Sequence, residues 1–208
     1  RVYADRATYL GDPDFFEVPS NTLISDKYLQ NKFSTIDLNK KTPSSDIKEG
    51  QITMNETEET THFSIVDKFR NAVSITTTIN GSYGSKVVVD GAGFLLNNEM
   101  DDFSIKPGFP NMFGLTGGEA NAIEGNKRML SSMTPTIIEK EGELFMVLGT
   151  PGGSTIITSV FQTILNVIDF NMNMQEAVDS KKFHHQWLPD VIVIEKNTIK
   201  DDIKDNLI

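Results

Sequence analysis

The chain has 208 residues, 38% hydrophobic and 23% charged, enough for one domain with a sizeable core. Its net charge of −10 argues against nucleic acid or an anionic membrane surface as partner, and no apolar run is long enough to cross a bilayer. The absence of cysteine excludes disulfides, thiolate zinc sites and cysteine nucleophiles.

Residues 1–59 are polar and rich in turn formers. The start, Arg1-Val2-Tyr3-Ala4-Asp5, has neither an initiator Met nor the apolar segment of a leader peptide, and it reads as the start of a fragment. Gly11-Asp12-Pro13-Asp14 predicts a tight turn. One helix is expected over about Ser25 to Ser34, followed by a loop from Asp37 to Ser45. Lys48 to Glu59 has little apolar content and is expected to be mobile. From Thr61 the character changes. Thr61 to Asp67 and Ala72 to Asn80 are β-rich and joined by Lys68-Phe69-Arg70-Asn71, which predicts a hairpin. Lys106 to Lys127, with two prolines and five glycines, predicts a long loop. Thr136 to Lys140 and Glu143 to Leu148 form a second expected hairpin around Glu141-Gly142. A helix from Ser154 to about Asp169 is expected, with Ser154 as its N-cap, then a helix over Met174 to Ser180 and a short strand over Val191 to Glu195. Strands followed by helices predict layered α and β structure.

The chemistry concentrates in hydroxyls and glycines. Thr60-Thr61-His62-Phe63-Ser64 follows an acidic stretch, Glu56-Thr57-Glu58-Glu59. A mid-chain threonine hydroxyl is a poor nucleophile, because nothing removes its proton. At a chain start its own α-amine, with a pKa of roughly 8, is a base within reach. Cleavage between Glu59 and Thr60 would create nucleophile and base together. By itself the dipeptide is more simply the start of a β-strand, where threonine is favoured. The strand Val73 to Asn80 alternates with period two. Ser74, Thr76, Thr78 and Asn80 fall on one face, and Val73, Ile75, Thr77 and Ile79 on the other. Such a polar face either meets solvent or lines a polar site.

Four further motifs fit the same chemistry, each with a plain structural alternative. Gly152-Gly153 before a helix lets backbone N–H groups approach a ligand, as an oxyanion hole requires, or it is only a strand-to-helix turn. Ser131-Ser132 offers two hydroxyl donors to a carboxylate, or a solvated turn. Glu99 and Asp102, in Leu95-Leu96-Asn97-Asn98-Glu99-Met100-Asp101-Asp102-Phe103, suit an ammonium group, or they form a charged loop facing water. In His184-His185-Gln186-Trp187 the adjacent histidines point apart and lack a suitably spaced third ligand, so no metal site is expected there.

As a set and in this order, these runs resemble the gamma-glutamyltransferase (gamma-glutamyltranspeptidase) family, from Tyr3-Ala4-Asp5-Arg6 and Tyr9 to Phe15 through to Asp190. The resemblance implies an α+β fold, the αββα four-layer sandwich of the N-terminal-nucleophile hydrolases, present here in part. Residues 1–59 would be the end of the large subunit with the segment before the cut. Residues 60–208 would be the small, catalytic subunit, truncated at its C-terminus. The implied activity is self-cleavage at Glu59–Thr60, then transfer of the γ-glutamyl group of glutathione to water or to an amino-acid or peptide amine.

Carried onto this sequence, the family assigns the nucleophile to Thr60, its hydroxyl partner to Thr78 and the oxyanion hole to Gly152 and Gly153. Asn80, Glu99, Asp102, Ser131 and Ser132 would bind the α-amine and α-carboxylate. No cofactor or metal is implied. The implied partners are small γ-glutamyl molecules and the rest of the large subunit, which supplies a carboxylate-binding arginine. The implied location is periplasmic or secreted. Phe113 stands in the lid loop where several bacterial members carry Tyr, Thr155 where arginine is common, and Met129 where proline is common. The alternatives are a related N-terminal-nucleophile amidase, such as an acylase or a poly-γ-glutamate processing enzyme, and an inactive fragment serving as a structural or binding module.

Overall fold

The structure, a computed structural model, describes residues 1–47, 60–196, 198–199 and 203. The expected mobile segment Lys48 to Glu59 lies outside the described residues, as does the Glu59 side of the expected cleavage site. The chain forms two compact units, each assembled from separated stretches. One is built from 1–47, Val87–Ser131 and Gln186–Val191, the other from 60–86, Ser132–His185 and the described residues from Ile192 onward.

The first unit begins with helix α1 (Val2–Tyr9), which the sequence reading left out. No side chain caps its start. Its support is tertiary: Tyr3, Ala4 and Ala7 are buried, and the Gly118 N–H donates to the Ala7 carbonyl at 2.8 Å. Gly118 must be glycine there, since a Cβ would sit 2.8 Å from that same carbonyl oxygen. The turn expected over Gly11–Asp14 forms one residue later, with the Phe15 N–H on the Asp12 carbonyl. After a short helix α2 (Ser20–Leu23) comes α3 (Asp26–Ser34). There the Ser25 side chain caps by accepting from the Tyr28 N–H, so this helix begins where the sequence placed it.

The long stretch through Val87–Ser131 carries no strand ladder. It is ordered by 3₁₀ turns at Glu99–Asp102 and Glu119–Asn121, and by polar side chains turned onto backbone. Asn111, for example, accepts from the Phe113 and Leu115 N–H groups, both at 3.0 Å. Phe113 itself is buried, and its carbonyl accepts from Gln186 Nε2. Trp187 is buried with its indole N–H on the Ser44 carbonyl.

The second unit holds two antiparallel ladders. Strands β1 (Thr60–Val66) and β2 (Ala72–Thr78) pair around the Asp67–Asn71 turn. There Asp67 Oδ1 accepts from the Phe69 and Asn71 N–H groups, both at 2.8 Å. Strands β3 (Thr136–Lys140) and β4 (Glu143–Leu148) pair around Glu141-Gly142, both with positive φ (56° and 80°), matching the sequence reading. Ser74 on β2 donates its hydroxyl to the Leu148 carbonyl on β4 at 3.0 Å, joining the two hairpins. The polar face of β2 is therefore its more buried one. Val73 and Ile75 stand 44% and 40% exposed beside Phe63 and Ile65 of β1.

Helix α4 (Ile156–Ile168) closes the core of this unit, packing Ile156 and Val160 against Met146 and Leu148 of β4, with Met133, Ile138, Ile164 and Val167 around them. Burying each such side chain contributes about 1.5–3 kcal/mol. Ser154 is not the N-cap of this helix. The positive φ values of Gly152 and Gly153 start a 3₁₀ turn over Gly153–Thr155, Ser154 is buried within it, and Thr155 takes the cap position. Helix α5 (Met174–Asp179) follows, opened by a capping box between Asn173 and Glu176. Two short strands, β5 (Phe183–His184) and β6 (Val193–Ile194), pair at the end. The sequence anticipated the second and missed the first.

Candidate active site

Thr60 is the first residue of β1, and the register sets it directly opposite Thr78, the last residue of β2. Residues directly opposite on one face bring their side chains together. Here Thr60 Oγ1 donates to Thr78 Oγ1 at 3.4 Å. Thr78 Oγ1 also accepts from the Asn80 N–H at 2.9 Å. Asn80 is buried and has φ 75°, a left-handed conformation that asparagine tolerates better than most residues. The strand thus ends by folding back onto the hydroxyl that faces Thr60.

The glycine loop enters from the other hairpin. Gly149, just after β4, lies against the imidazole of His62, which is two residues from Thr60 on the same face of β1. That ring is held on both sides: Nδ1 pairs with Thr76 Oγ1 at 2.8 Å and Nε2 with Ser64 Oγ at 3.0 Å. Burial lowers the His62 pKa, which keeps the ring neutral near pH 7. Beyond Gly149 the chain runs to Gly152, with φ 138° and ψ 22°, and Gly153, with φ 49°. The first of these conformations is open to glycine alone without strain. The Gly152 carbonyl is taken up by Thr155, whose N–H and Oγ1 donate to it at 2.9 and 2.7 Å. A hydroxyl paired with a second hydroxyl, on a strand whose His62 meets the chain leading to a glycine turn and a 13-residue helix, could serve acyl transfer.

The other predicted residues fall as follows. Glu99 and Asp102 sit in one 3₁₀ turn of the first unit. Burial, reinforced by the negative charges of Glu99 and Asp101, raises Asp102 to about 6, while Arg6 pulls it down. Burial also raises Glu99. Ser131 ends a stretch of the first unit and Ser132 begins one of the second, where its carbonyl accepts from Thr134 Oγ1 at 2.8 Å. Thr60, Thr78, Asn80, Gly152 and Gly153 all belong to the second unit. His184 is buried on Thr158 Oγ1 at 2.8 Å, and among the described residues no group of His, Asp and Glu is arranged to hold a metal ion. No described helix is long and apolar enough to cross a membrane. The sequence reading quoted His62 only as part of the threonine motif. Its signal was positional, since period two puts it on the face of Thr60.

A family model described as gamma-glutamyltranspeptidase matches residues 1–208. The chain belongs to the gamma-glutamyltranspeptidase family. It is 51% identical over 203 residues to the glutathione hydrolase proenzyme of Escherichia coli, covering 98% of this chain and 35% of that protein. To the glutathione hydrolase proenzyme of Pseudomonas aeruginosa it is 52% identical over 189 residues, covering 91% and 33%. The chain therefore spans about one third of the length of the curated relatives it matches. Among solved structures, Helicobacter pylori gamma-glutamyltranspeptidase superposes with a TM-score of 0.69 at 65% identity, over 71% of this chain and 79% of that one. Cephalosporin acylase from Bacillus halodurans superposes with a TM-score of 0.75 at 24% identity, over 99% of this chain and 34% of that one, a likeness of fold alone. The family fold is that of the N-terminal-nucleophile hydrolases, mixed α and β, as expected from the sequence.

Proposed function

We propose that this chain carries the catalytic core of a self-cleaving gamma-glutamyltransferase and glutathione hydrolase. The observation that supports this best is the Thr60–Thr78 hydroxyl pair at the open end of β1–β2, backed by the Asn80 N–H. In this reading, cleavage before Thr60 divides the chain into large-subunit residues 1–59 and small-subunit residues 60–208. The freed Thr60 α-amine takes the proton of its own hydroxyl as Oγ1 attacks the γ-amide carbon of glutathione. The N–H groups of Gly152 and Gly153 receive the oxyanion. Collapse expels the amine, which leaves with the proton held by the Thr60 ammonium. Water or an acceptor amine then attacks the glutamyl ester and restores the hydroxyl.

Ser131 and Ser132 donate to the substrate α-carboxylate, Glu99 and Asp102 hold the ammonium end, and Asn80 helps hold the region of both. The remainder of the large subunit adds a carboxylate-binding arginine. It also covers the apolar face formed by Phe63, Ile65, Val73 and Ile75. The proposed location is periplasmic or secreted.

The test is the full-length protein followed by intact mass and γ-glutamyl-anilide release. Thr60→Ala should abolish both cleavage and turnover, and Thr60→Ser should retain part of each. Normal turnover by Thr60→Ala would remove Thr60 as nucleophile.

A further inference from the structure

We propose that Asn121 is the positioning residue that ties the ammonium end of the γ-glutamyl site, at Asp102, to its carboxylate end, at Ser131. The inference rests on the reading of Asp102 and Ser131 given above. Asn121 closes the 3₁₀ turn Glu119–Asn121 and is only 4% exposed. Its side-chain Oδ1 accepts from the Leu130 N–H at 3.0 Å, one residue before Ser131. Its Nδ2 donates to the Asp102 carbonyl at 2.8 Å. Its own carbonyl accepts from the Ser104 N–H at 2.9 Å, two residues beyond Asp102. The backbone demands leave one orientation of the amide: an N–H needs Oδ1, and a carbonyl needs Nδ2.

A single rigid side chain therefore holds the segments that carry two of the substrate-binding groups, over sequence separations of 9 and 19 residues. Both bonds go to backbone, so they fix where the segments lie without engaging the side chains of Asp102 and Ser131. Aspartate could not replace it at Nδ2, because its second oxygen would face the Asp102 carbonyl. Alanine would remove the partner of a part-buried N–H and of a part-buried carbonyl at once.

The experiment uses the full-length protein with three amide donors: the γ-glutamyl amide, its glutaryl analogue without the α-amine, and its 4-aminobutyryl analogue without the α-carboxylate. Asn121→Ala should raise KM for the γ-glutamyl amide about tenfold, the scale of losing two part-buried hydrogen bonds. It should also reduce discrimination against both analogues about tenfold, because an end no longer held in place gains less from its group. Saturated turnover and cleavage before Thr60 should change less than about threefold, since neither uses these contacts. If Asn121→Ala gives no folded protein, Asn121→Ser, which retains one hydrogen-bonding group, carries the same readout.

Unchanged KM and unchanged discrimination in a folded Asn121 variant, beside raised KM in Asp102→Asn and Ser131→Ala, would overturn the proposal alone. Unchanged KM in Asp102→Asn and Ser131→Ala would overturn the site reading and the proposal with it.

Discussion

Gly149→Ala is the sharpest probe of how the strand that carries Thr60 and the glycine loop are joined. Gly149 has no left-handed φ, so alanine meets no backbone penalty there, and its effect comes from contact alone. A Cβ at this position overlaps Cε1 and Nδ1 of His62 and comes within 2.8 Å of Nε2. One of two things must yield. If the ring swings away, it gives up its bonds to Thr76 Oγ1 and Ser64 Oγ. Each such bond is worth about 0.5–1.5 kcal/mol, so roughly 1–3 kcal/mol is lost. If the loop moves instead, overpacking costs about 1–3 kcal/mol, and the N–H groups of Gly152 and Gly153 shift with it. A displacement of about 1 Å at an oxyanion hole can cost on the order of 10²-fold in rate.

The assay is denaturant unfolding beside γ-glutamyl-anilide kinetics of the mature enzyme. Stability should fall by about 1–3 kcal/mol, and kcat should fall more than KM rises. Pairing the change with His62→Ala removes the obstacle, so the double variant should be less impaired than the sum of the singles, by about 0.5–3 kcal/mol in a cycle. Full stability and full rate in Gly149→Ala, or strict additivity with His62→Ala, would refute the proposed contact as a determinant of loop position.

Gly153→Val should depress kcat about 10²–10³-fold with little change in KM, because it disturbs a donor used mainly in the transition state and imposes φ 49° on a β-branched residue; an unchanged rate would reduce the glycine pair to a turn. Burial pushes Asp102 up to about 6, so kcat/KM for γ-glutamyl donors should decline as pH falls through that region, and Asp102→Asn should abolish this limb while lowering the plateau. The native state holds this proton more tightly than an unfolded chain, whose aspartates keep the ordinary value of about 3.8, so the stability it contributes is full below about 3.8 and is lost as pH rises through about 6. The urea midpoint of Asp102→Asn should accordingly vary less across that window than that of the parent. Arg128 holds Asp12 through Nε at 3.0 Å and through a second, shorter bond from Nη2, and this keeps the Asp12 carboxyl well below the usual carboxylate range. Arg128→Ala should therefore loosen the chain entering Leu130 and Ser131, detectable as faster hydrogen exchange at the Leu130 N–H.

The hairpins were legible because local signals agreed. Alternation marked β2, β-rich composition marked β1, and Lys68–Asn71 and Glu141-Gly142 supplied hairpin connections at the right spacing. Helix α1 was not legible, since Val2–Tyr9 has no capping side chain and is held by a glycine more than a hundred residues away. Ser154 misled because a serine before an apolar helix is the usual cap signal. Two positive-φ glycines, invisible as such in a sequence, moved the start by one residue and buried the hydroxyl. Pattern alone left the polar face of β2 undecided between solvent and site. Ser74 on the Leu148 carbonyl and the His62 ring against Gly149 decide for the interior, and both depend on where the second hairpin packs. Asn121 carried no local signal, because both side-chain partners lie far along the chain.

The Asp67–Asn71 turn acquires a role that its position hides. Each step along a strand advances about 3.4 Å, so the turn lies roughly 20 Å from the Thr60 hydroxyl. Yet it fixes which residue of β2 stands across from Thr60. A slip of one residue would put Ser74, Thr76 and Thr78 on the opposite side of the ladder from Thr60. The hydroxyl would then face Thr77 or Ile79, neither of which offers the bond backed by Asn80. In this hairpin the turn acts as a ruler, and the aspartate that gathers three donors from Phe69 and Asn71 measures out the pairing of the threonines at its far end.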